Sequence, residues 1–270
     1  VKKVSESVYA ETGYLLPNTG CVITEDGAVV IDPPMLPSEA KHWRGQIEKL
    51  TNRGILYVIN TDHHFDHIMG NSYLSRRVIA HRVARRGFEY YLSNPDNIKN
   101  EMATFIPKEV LQQQKDELAS VQIILPEITF HDELVLHLGG KDIQLKYAGG
   151  HSPSTIMIYI PSERVLFTGD NVETERHPAM VTGKLDVWIS VLRYIEQMDI
   201  DVIVPGHGEL GGKELATSMR KYFEELVNYA KALRKVNVDK NKAAEMVAEH
   251  MLDYLPVGNE RESITKARLT

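Results

Sequence analysis

The segment from Asn60 to His67 reads NTDHHFDH and places three histidines and two aspartates within eight residues. It directly follows the continuous apolar run Ile55-Leu56-Tyr57-Val58-Ile59, which is typical of a strand buried on both faces. A loop at the end of a buried strand holds its side chains on a rigid backbone and lets them converge. We therefore predict a fold built around this strand, with a cluster of metal-capable side chains at its end.

Three glycine-containing motifs also follow predicted strands, and each carries one histidine or aspartate. Glycine at such a position lets backbone and ligand approach closely, where a side chain would clash. Imidazole and carboxylate groups suit zinc and the harder first-row metal ions, so the motifs together indicate a metal site. They are Gly149-Gly150-His151-Ser152 after Ala148, Thr168-Gly169-Asp170-Asn171 after Phe167, and Pro205-Gly206-His207-Gly208 after Val204.

The remaining chain supplies further strands and helices. Gly20–Thr24 and Ala28–Asp32 flank Asp26-Gly27, which favours a tight hairpin turn, and Asp32 at its end is interpreted as structural or as a support for a ligand. Ser38 is predicted to cap a helix that ends at Leu50. Residues 82–93 and 107–119 are predicted as helices, with a loop-rich insertion between Pro95 and Pro107, and two polar-faced helices cover 213–235 and 241–254.

The order of these motifs resembles that of the metallo-β-lactamase superfamily over Val8 to Gly208. A lone His-x-x-His would be weak evidence, but Asp32, the central cluster and the three later motifs in one order are specific. The resemblance implies an α/β fold, a four-layer αββα sandwich, followed here by C-terminal helices. We predict a domain over residues 1–211 and a helical extension over 212–270 that packs on it.

The resemblance also implies a ligand set for two divalent metal ions. In the family, one ion is held by the first two histidines of a His-x-His-x-Asp-His motif and by a later histidine, and a carboxylate bridges the pair. Zinc is the first expectation, and manganese and iron are alternatives. Carried over by position, the implied ligands are Asp62, His64 and His151 for the first ion, Asp66, His67 and His207 for the second, and Asp170 as the bridge.

Asp62 departs from the family pattern, because it stands where the family has a histidine. Either Asp62 binds the first ion through oxygen, or its neighbour His63 turns in and Asp62 supports it. Adjacent residues on an extended loop point to opposite sides, which favours Asp62 as the ligand. A mononuclear site with a metal ion only at the second position is a further alternative.

The reaction class that the resemblance implies is metal-assisted hydrolysis. A metal-bridging hydroxide would attack a small ester, thioester, lactone or amide, and Asp66 would orient it. Asn171 and His177 follow Asp170 and are predicted to contact substrate, although His177 could equally be a loop histidine without a catalytic role. The alternative function is an iron-dependent oxygenase or redox protein on the same scaffold.

Composition limits the partners. The net charge of −6 gives no general attraction to nucleic acid. The first residues lack the apolar core of a signal peptide, and no apolar run reaches membrane-spanning length. A single cysteine, Cys21, rules out an intramolecular disulfide. We expect a cytoplasmic enzyme with a small-molecule substrate, no nucleic-acid or membrane partner, and C-terminal helices that cover the pocket or support a homo-oligomer.

Overall fold

The computed structural model describes residues 1–252, and the first half of the chain forms a seven-stranded sheet. Its strands are β1 (Lys2–Lys3), β2 (Val8–Glu11), β3 (Thr19–Ile23), β4 (Ala28–Ile31), β5 (Ile55–Ile59), β6 (Val78–His81) and β7 (Ile128–Phe130). They lie in chain order across the sheet, antiparallel from β1 to β4 and parallel from β4 to β7. The predicted hairpin is confirmed, since β3 pairs with β4 across Asp26-Gly27.

The second half forms a five-stranded sheet. Its strands are β8 (Glu133–Leu138), β9 (Lys141–Tyr147), β10 (Ile156–Ile160), β11 (Val165–Glu173) and β12 (Val202–His207). Across the sheet they lie in the order β12-β11-β10-β9-β8, and only the β11–β12 pair is parallel. Strand β5 leads into the polar segment predicted from the sequence, whereas β11 and β12 extend further than predicted and themselves contain Asp170 and His207.

The two sheets pack face to face over one apolar core. Val29, Ile31 and Ile59 of the first sheet join Ile158 and Phe167 of the second in a single buried cluster. Burying such side chains contributes about 1.5–3 kcal/mol each relative to leaving them in water. The strands that carry the polar motifs are thus held rigidly against one another.

Helices cover the outer faces of both sheets. Those of the first half, which lie between β4 and β7 in the chain, are α1 (Pro37–Leu50), α2 (Phe65–Ile68), α3 (Asn71–Leu74), α4 (Ala84–Ser93), α5 (Pro95–Phe105), α6 (Lys108–Gln113) and α7 (Lys115–Leu118). Those of the second half are α8 (Leu185–Gln197), α9 (Glu214–Lys235) and α10 (Lys240–Met251). Trp43 of α1 packs on the first sheet, and Trp188 of α8 packs on the second. The mixed α/β fold with two sheets and C-terminal helices is the predicted one.

The C-terminal helices pack on the second sheet rather than standing apart. Met219 and Phe223 of α9 belong to the same buried cluster as Trp188 and Val172. The predicted boundary after residue 211 remains a prediction, as do residues 253–270, which lie outside the described part of the chain. Over residues 1–252 the structure has no helix with the length and apolar character needed to span a bilayer.

Two local predictions were wrong. The stretch from Pro95 to Phe105 is a helix and not a loop, because proline at the first helical position starts a helix without losing a needed hydrogen bond. Ser38 does not cap α1, which begins one residue earlier at Pro37; its amide instead donates to Glu117.

Candidate metal centre

The metal-capable side chains predicted from the four motifs meet at one edge of the sandwich. One group, Asp66, His67 and His207, comes from α2 and the end of β12. A second group, Asp62, His64 and His151, comes from the loop after β5 and the loop before β10. In each group the potential ligand atoms lie within 4.8 Å of one another. The two sheets therefore bring together residues that are more than 140 positions apart.

The first group has the spacing of a tetrahedral metal site. Asp66 Oδ2 lies 3.6 Å from His67 Nε2 and 3.3 Å from His207 Nε2. Asp170 Oδ1 lies 3.3 Å from the first of these nitrogens and 3.4 Å from the second. Ligands about 2.0–2.1 Å from a tetrahedral zinc ion are separated by about 3.3 Å, so an ion fits among these atoms.

Two buried atoms, one from the first group and one from Asp170, lack hydrogen-bond partners. His67 Nε2 and Asp170 Oδ1 are both enclosed, and neither makes a hydrogen bond within the described residues. Leaving a buried polar group unsatisfied costs about 1–3 kcal/mol, and more when it is charged. A divalent cation would satisfy both atoms at once, so the donor set fits a metal ion.

Contacts at Nδ1 orient the imidazoles of His67 and His207. Asp32 Oδ2 lies 3.0 Å from His67 Nδ1, and the carboxylate also accepts from the backbone N–H of Thr61 at 2.8 Å. His207 Nδ1 donates to the Leu16 carbonyl oxygen at 3.1 Å. Engaging Nδ1 leaves Nε2 free as the metal ligand, which is how supporting groups commonly set the tautomer of a ligating histidine. The interpretation of Asp32 as a support agrees with this geometry.

The second group contains Asp62 and not its neighbour His63. His64 Nδ1 lies 3.1 Å from His151 Nε2 and 2.9 Å from Asp62 Oδ1. His63 Nδ1 lies 2.7 Å from Ser154 Oγ and 3.0 Å from Asp62 Oδ1. Asp62 rather than His63 thus belongs to this group of potential ligand atoms, and Asp62 as the oxygen ligand remains a prediction.

Asp62 is nevertheless already surrounded by donors. Its Oδ1 accepts from the backbone N–H groups of His63 at 2.6 Å and His64 at 3.1 Å. Its Oδ2 accepts from Ser152 Oγ at 2.5 Å and Thr155 Oγ1 at 2.6 Å. A carboxylate offers about four lone-pair sites, and His63 Nδ1 and His64 Nδ1 also lie within 3.0 Å of Oδ1, so an ion bound to Asp62 would displace a donor. Asp62 therefore holds the loop after β5 against the loop before β10 whether or not it binds an ion.

The electrostatics of the centre keep the carboxylates of Asp66 and Asp170 ionised. Burial raises the pKa of Asp170, but the charges of His207 and His67 outweigh burial and hold the pKa well below its usual range. Burial and the Arg176 charge lower the pKa of His207, yet Asp170 and Asp66 together raise it to about 9. A buried anionic cluster thus attracts positive charge. Protons and metal ions compete for it, because metal binding releases the ligand protons.

Glu173 is a member of the centre that the sequence analysis missed. It is buried on β11, and with His151 and Asp170 it forms a third group of ligand atoms that lie within 4.8 Å of one another. Its Oε1 has no hydrogen-bond partner within residues 1–252. Burial, followed by the Asp170 charge, raises the pKa of Glu173 to about 7. The available signal was an acidic residue three positions after Asp170.

The two residues predicted to contact substrate lie elsewhere. Asn171 is fully buried; its Oδ1 accepts from the His151 backbone N–H and its Nδ2 donates to the Gly149 carbonyl oxygen. It therefore holds the loop that carries His151. His177 Nδ1 lies 2.9 Å from the Tyr222 hydroxyl, on the side of α9. Neither residue lines the cavity that opens onto the centre.

A cavity of about 490 Å³ opens onto the centre. This volume lies within the range of small-molecule sites. Apolar side chains such as Phe65 and Phe105 line its wall, together with two arginines, Arg86 and Arg176. The predicted metal-capable residues that face it are His64, Asp66, His151, Asp170 and His207, whereas Asp62 and His67 lie behind them.

Comparison with known proteins adds a family match. A family model described as the metallo-beta-lactamase superfamily matches residues 13–207. The chain is 22% identical over 241 residues to metallo-beta-lactamase type 2 from Bacteroides fragilis, a match that covers 84% of this chain and 86% of that protein. It is 22% identical over 237 residues to the linear primary-alkylsulfatase from Pseudomonas sp. (strain ATCC 19151), covering 76% of this chain and 44% of that protein.

A solved structure shares the fold over nearly the full length of the chain. It is the stereoselective inverting sec-alkylsulfatase Pisa1 from Pseudomonas sp., with a TM-score of 0.73 and 17% sequence identity. The match covers 98% of this chain and 49% of that chain. This chain therefore spans less than half the length of either alkylsulfatase.

Proposed function

Because the chain belongs to the metallo-β-lactamase superfamily, we propose that it is a metal-dependent hydrolase that cleaves a small ester, thioester, lactone or amide. The observation that carries the proposal is the pair of enclosed atoms without hydrogen-bond partners, His67 Nε2 and Asp170 Oδ1, beside a cavity that Asp170 lines. Relatives named as a β-lactamase and as an alkylsulfatase support a hydrolytic reaction class.

The proposed arrangement has two metal ions, with zinc as the first expectation and manganese or iron as alternatives. Asp170 can serve both positions, since its Oδ1 faces His67 and His207 while its Oδ2 lies 3.5 Å from His151 Nε2. When bound, such ions lower the pKa of a coordinated water to about 7 and polarise the scissile bond. The proposed ligands are Asp62, His64 and His151 for one ion, Asp66, His67 and His207 for the other, and Asp170 between them.

The surrounding residues prepare the site for this reaction. Burial raises the pKa of Asp66, but the charges of His67 and His207 and the hydrogen bond of His207 have the larger combined effect and lower it below its usual value. The carboxylate is therefore ionised at neutral pH. Asp66 faces the cavity, where its oxygen can accept a hydrogen bond from an attacking water and orient that water. The apolar wall limits competing water, which strengthens the electrostatic interactions inside the cavity.

A redox function on the same scaffold is the second candidate. The observation in its favour is the number of carboxylates, since Asp62 and Glu173 both stand beside the histidines of the centre. Carboxylate oxygens favour harder ions such as manganese or iron over zinc. An iron-dependent oxygenase or redox protein would use such a site to activate oxygen.

Metal analysis combined with a substrate panel tests the proposal. The full chain, purified without a metal-affinity column, would be chelated and reloaded with zinc, manganese or iron(II). Each form would then be assayed with a β-lactam, an acyl thioester, an aryl ester and a lactone. We expect hydrolysis of at least one class that is lost on chelation and in Asp170→Asn. His137→Ala, an exposed histidine far from the cavity, is the matched control and should keep full activity.

Two results would contradict the proposal. One is hydrolysis that survives chelation and the Asp170 substitution, which would place the reaction outside this centre. The other is oxygen consumption by the iron form with no hydrolysis of any substrate class, which would favour the redox candidate.

A further inference from the structure

The mouth of the cavity is apolar and open to solvent. Tyr90 of α4, Phe105 of α5 and Val181 of the loop before α8 all line it, and they are 50%, 46% and 73% exposed. Three separate segments therefore place large apolar side chains at one rim. Exposed apolar side chains that gather at one place mark a binding surface, whereas single ones do not.

The apolar surface continues from the mouth towards the metal centre. Phe65 and Tyr91 line the inner part of the cavity and are almost fully buried. Phe65 directly precedes Asp66, so the apolar wall ends at the proposed metal ligands. An aliphatic chain lying along this wall would replace water over its whole length, which is favourable in proportion to the area covered.

Arg176 supplies a positive charge beside the centre. Its guanidinium lines the cavity and makes no hydrogen bond within the described residues. Its nearest carboxylate oxygen is Glu173 Oε2, at 4.0 Å, which is beyond hydrogen-bond reach. A planar guanidinium with free donors matches a carboxylate, sulfate or phosphate group, which it can bind through two parallel hydrogen bonds.

We propose that the cavity takes a substrate with an aliphatic chain and a single anionic group, with the chain held at Tyr90, Phe105 and Val181 and the anion held by Arg176. This inference rests on the proposed function, because the same cavity leads to the metal centre. A polyanion fits less well, since the cavity also presents the carboxylates of Glu101 and Glu173. A neutral chain would leave the hydrogen-bond donors of the Arg176 guanidinium unused.

Binding measurements on the zinc-loaded full chain test the two parts separately. Isothermal titration calorimetry would use hexanoate, octanoate and decanoate below their micellar concentrations, with octyl sulfate as a second anion and octanol as the neutral probe. Burial of each added pair of methylene groups should tighten binding about tenfold. Octyl sulfate distinguishes anion recognition by Arg176 from direct ligation of the carboxylate to zinc, since sulfate monoesters are poor metal ligands.

Matched variants identify the residues. Arg176→Met should weaken octyl sulfate binding about tenfold or more and leave octanol unchanged, because a hydrogen bond to a charged group is lost. Arg53→Met, an exposed arginine outside the cavity, should change neither. Val181→Asn should reduce the gain per added carbon pair. Val236→Asn is the matched control, because Val236 is 71% exposed, and it should leave the gain per added carbon pair unchanged.

Affinity that does not depend on chain length would overturn the proposal, as would equal octyl sulfate binding by Arg176→Met and the unaltered protein. The expected binding pattern in a protein that hydrolyses no substrate class would support this inference while contradicting the proposed function. Chelator-sensitive hydrolysis without chain-length-dependent binding would support the proposed function and contradict this inference.

Discussion

Replacing Asp62 should destabilise the protein even when no metal ion is bound. In Asp62→Ala, the hydroxyls of Ser152 and Thr155, 3.0 Å apart, can bond to each other. The backbone N–H groups of His63 and His64 have no such replacement. A fully buried donor left unsatisfied costs about 1–3 kcal/mol, and because both of these amides are only partly buried we expect a combined loss near the lower end, about 2 kcal/mol.

Asp62→Asn is the graded comparison. The amide oxygen can still accept from both backbone N–H groups, and the two hydroxyls can rotate to accept from the new NH₂ group. Only the charge is lost, which predicts a cost of about 1 kcal/mol. Burial raises the pKa of Asp62, but the charges of His64 and His63 outweigh burial and hold it well below its usual 3.8. The stabilisation by the ionised group is therefore present above pH 3.8 and is lost as the pH falls further.

Urea unfolding of the chelated proteins at pH 7 measures these losses. We expect the unaltered protein to be the most stable, Asp62→Asn to be intermediate and Asp62→Ala to be the least stable. The slope of the unfolding free energy against urea concentration should be the same for all three. The reasoning would be refuted if the Asp62→Ala protein were as stable as the unaltered protein under chelation and less stable only in the presence of zinc. It would show that Asp62 acts solely as a metal ligand.

Three further substitutions probe other contacts. Asp32→Asn should weaken zinc binding about 10- to 100-fold in a competition assay, because His67 loses the carboxylate that sets its tautomer; unchanged affinity would contradict that role. Burial raises the pKa of Glu163, but its hydrogen bonds, led by that of Lys141, lower it to about 2. Glu163→Gln should therefore cost stability at pH 7, and the difference should vanish as the pH falls from 4.5 to 2; a constant difference would exclude this contribution. Glu173→Gln should weaken manganese binding about tenfold in dialysis, while Glu175→Gln, an exposed neighbour, should not; equal affinities would remove Glu173 from the centre.

The position of the site could be predicted because its signals are local. A buried apolar strand followed at once by NTDHHFDH fixes where those side chains converge. Gly149, Gly150 and Gly169 adopt φ values of 67°, 88° and 52°, in the left-handed region that favours glycine. The glycines before His151 therefore mark the turn that carries it, and Gly169 marks the irregular part of β11 that carries Asp170.

The missed features depend on contacts that sequence does not encode locally. Glu173 lies three positions after Asp170, so regular strand alternation would send the two side chains to opposite faces. The β11–β12 pairing shifts register between Gly169 and Glu173, and this irregularity ends the alternation. The four donors around Asp62 include Ser152 and Thr155, which are about 90 residues away and meet it only because the two sheets pack together.

The location of zinc in crystals of the loaded protein tests the central claim most directly. Anomalous diffraction measured on both sides of the zinc absorption edge would locate the ion without reference to any assay. We predict a peak about 2.0–2.1 Å from His67 Nε2 and His207 Nε2, with an Asp66 or Asp170 oxygen completing the site. Fully loaded crystals with no peak among these residues, or with zinc only on exposed histidines such as His137, would contradict it.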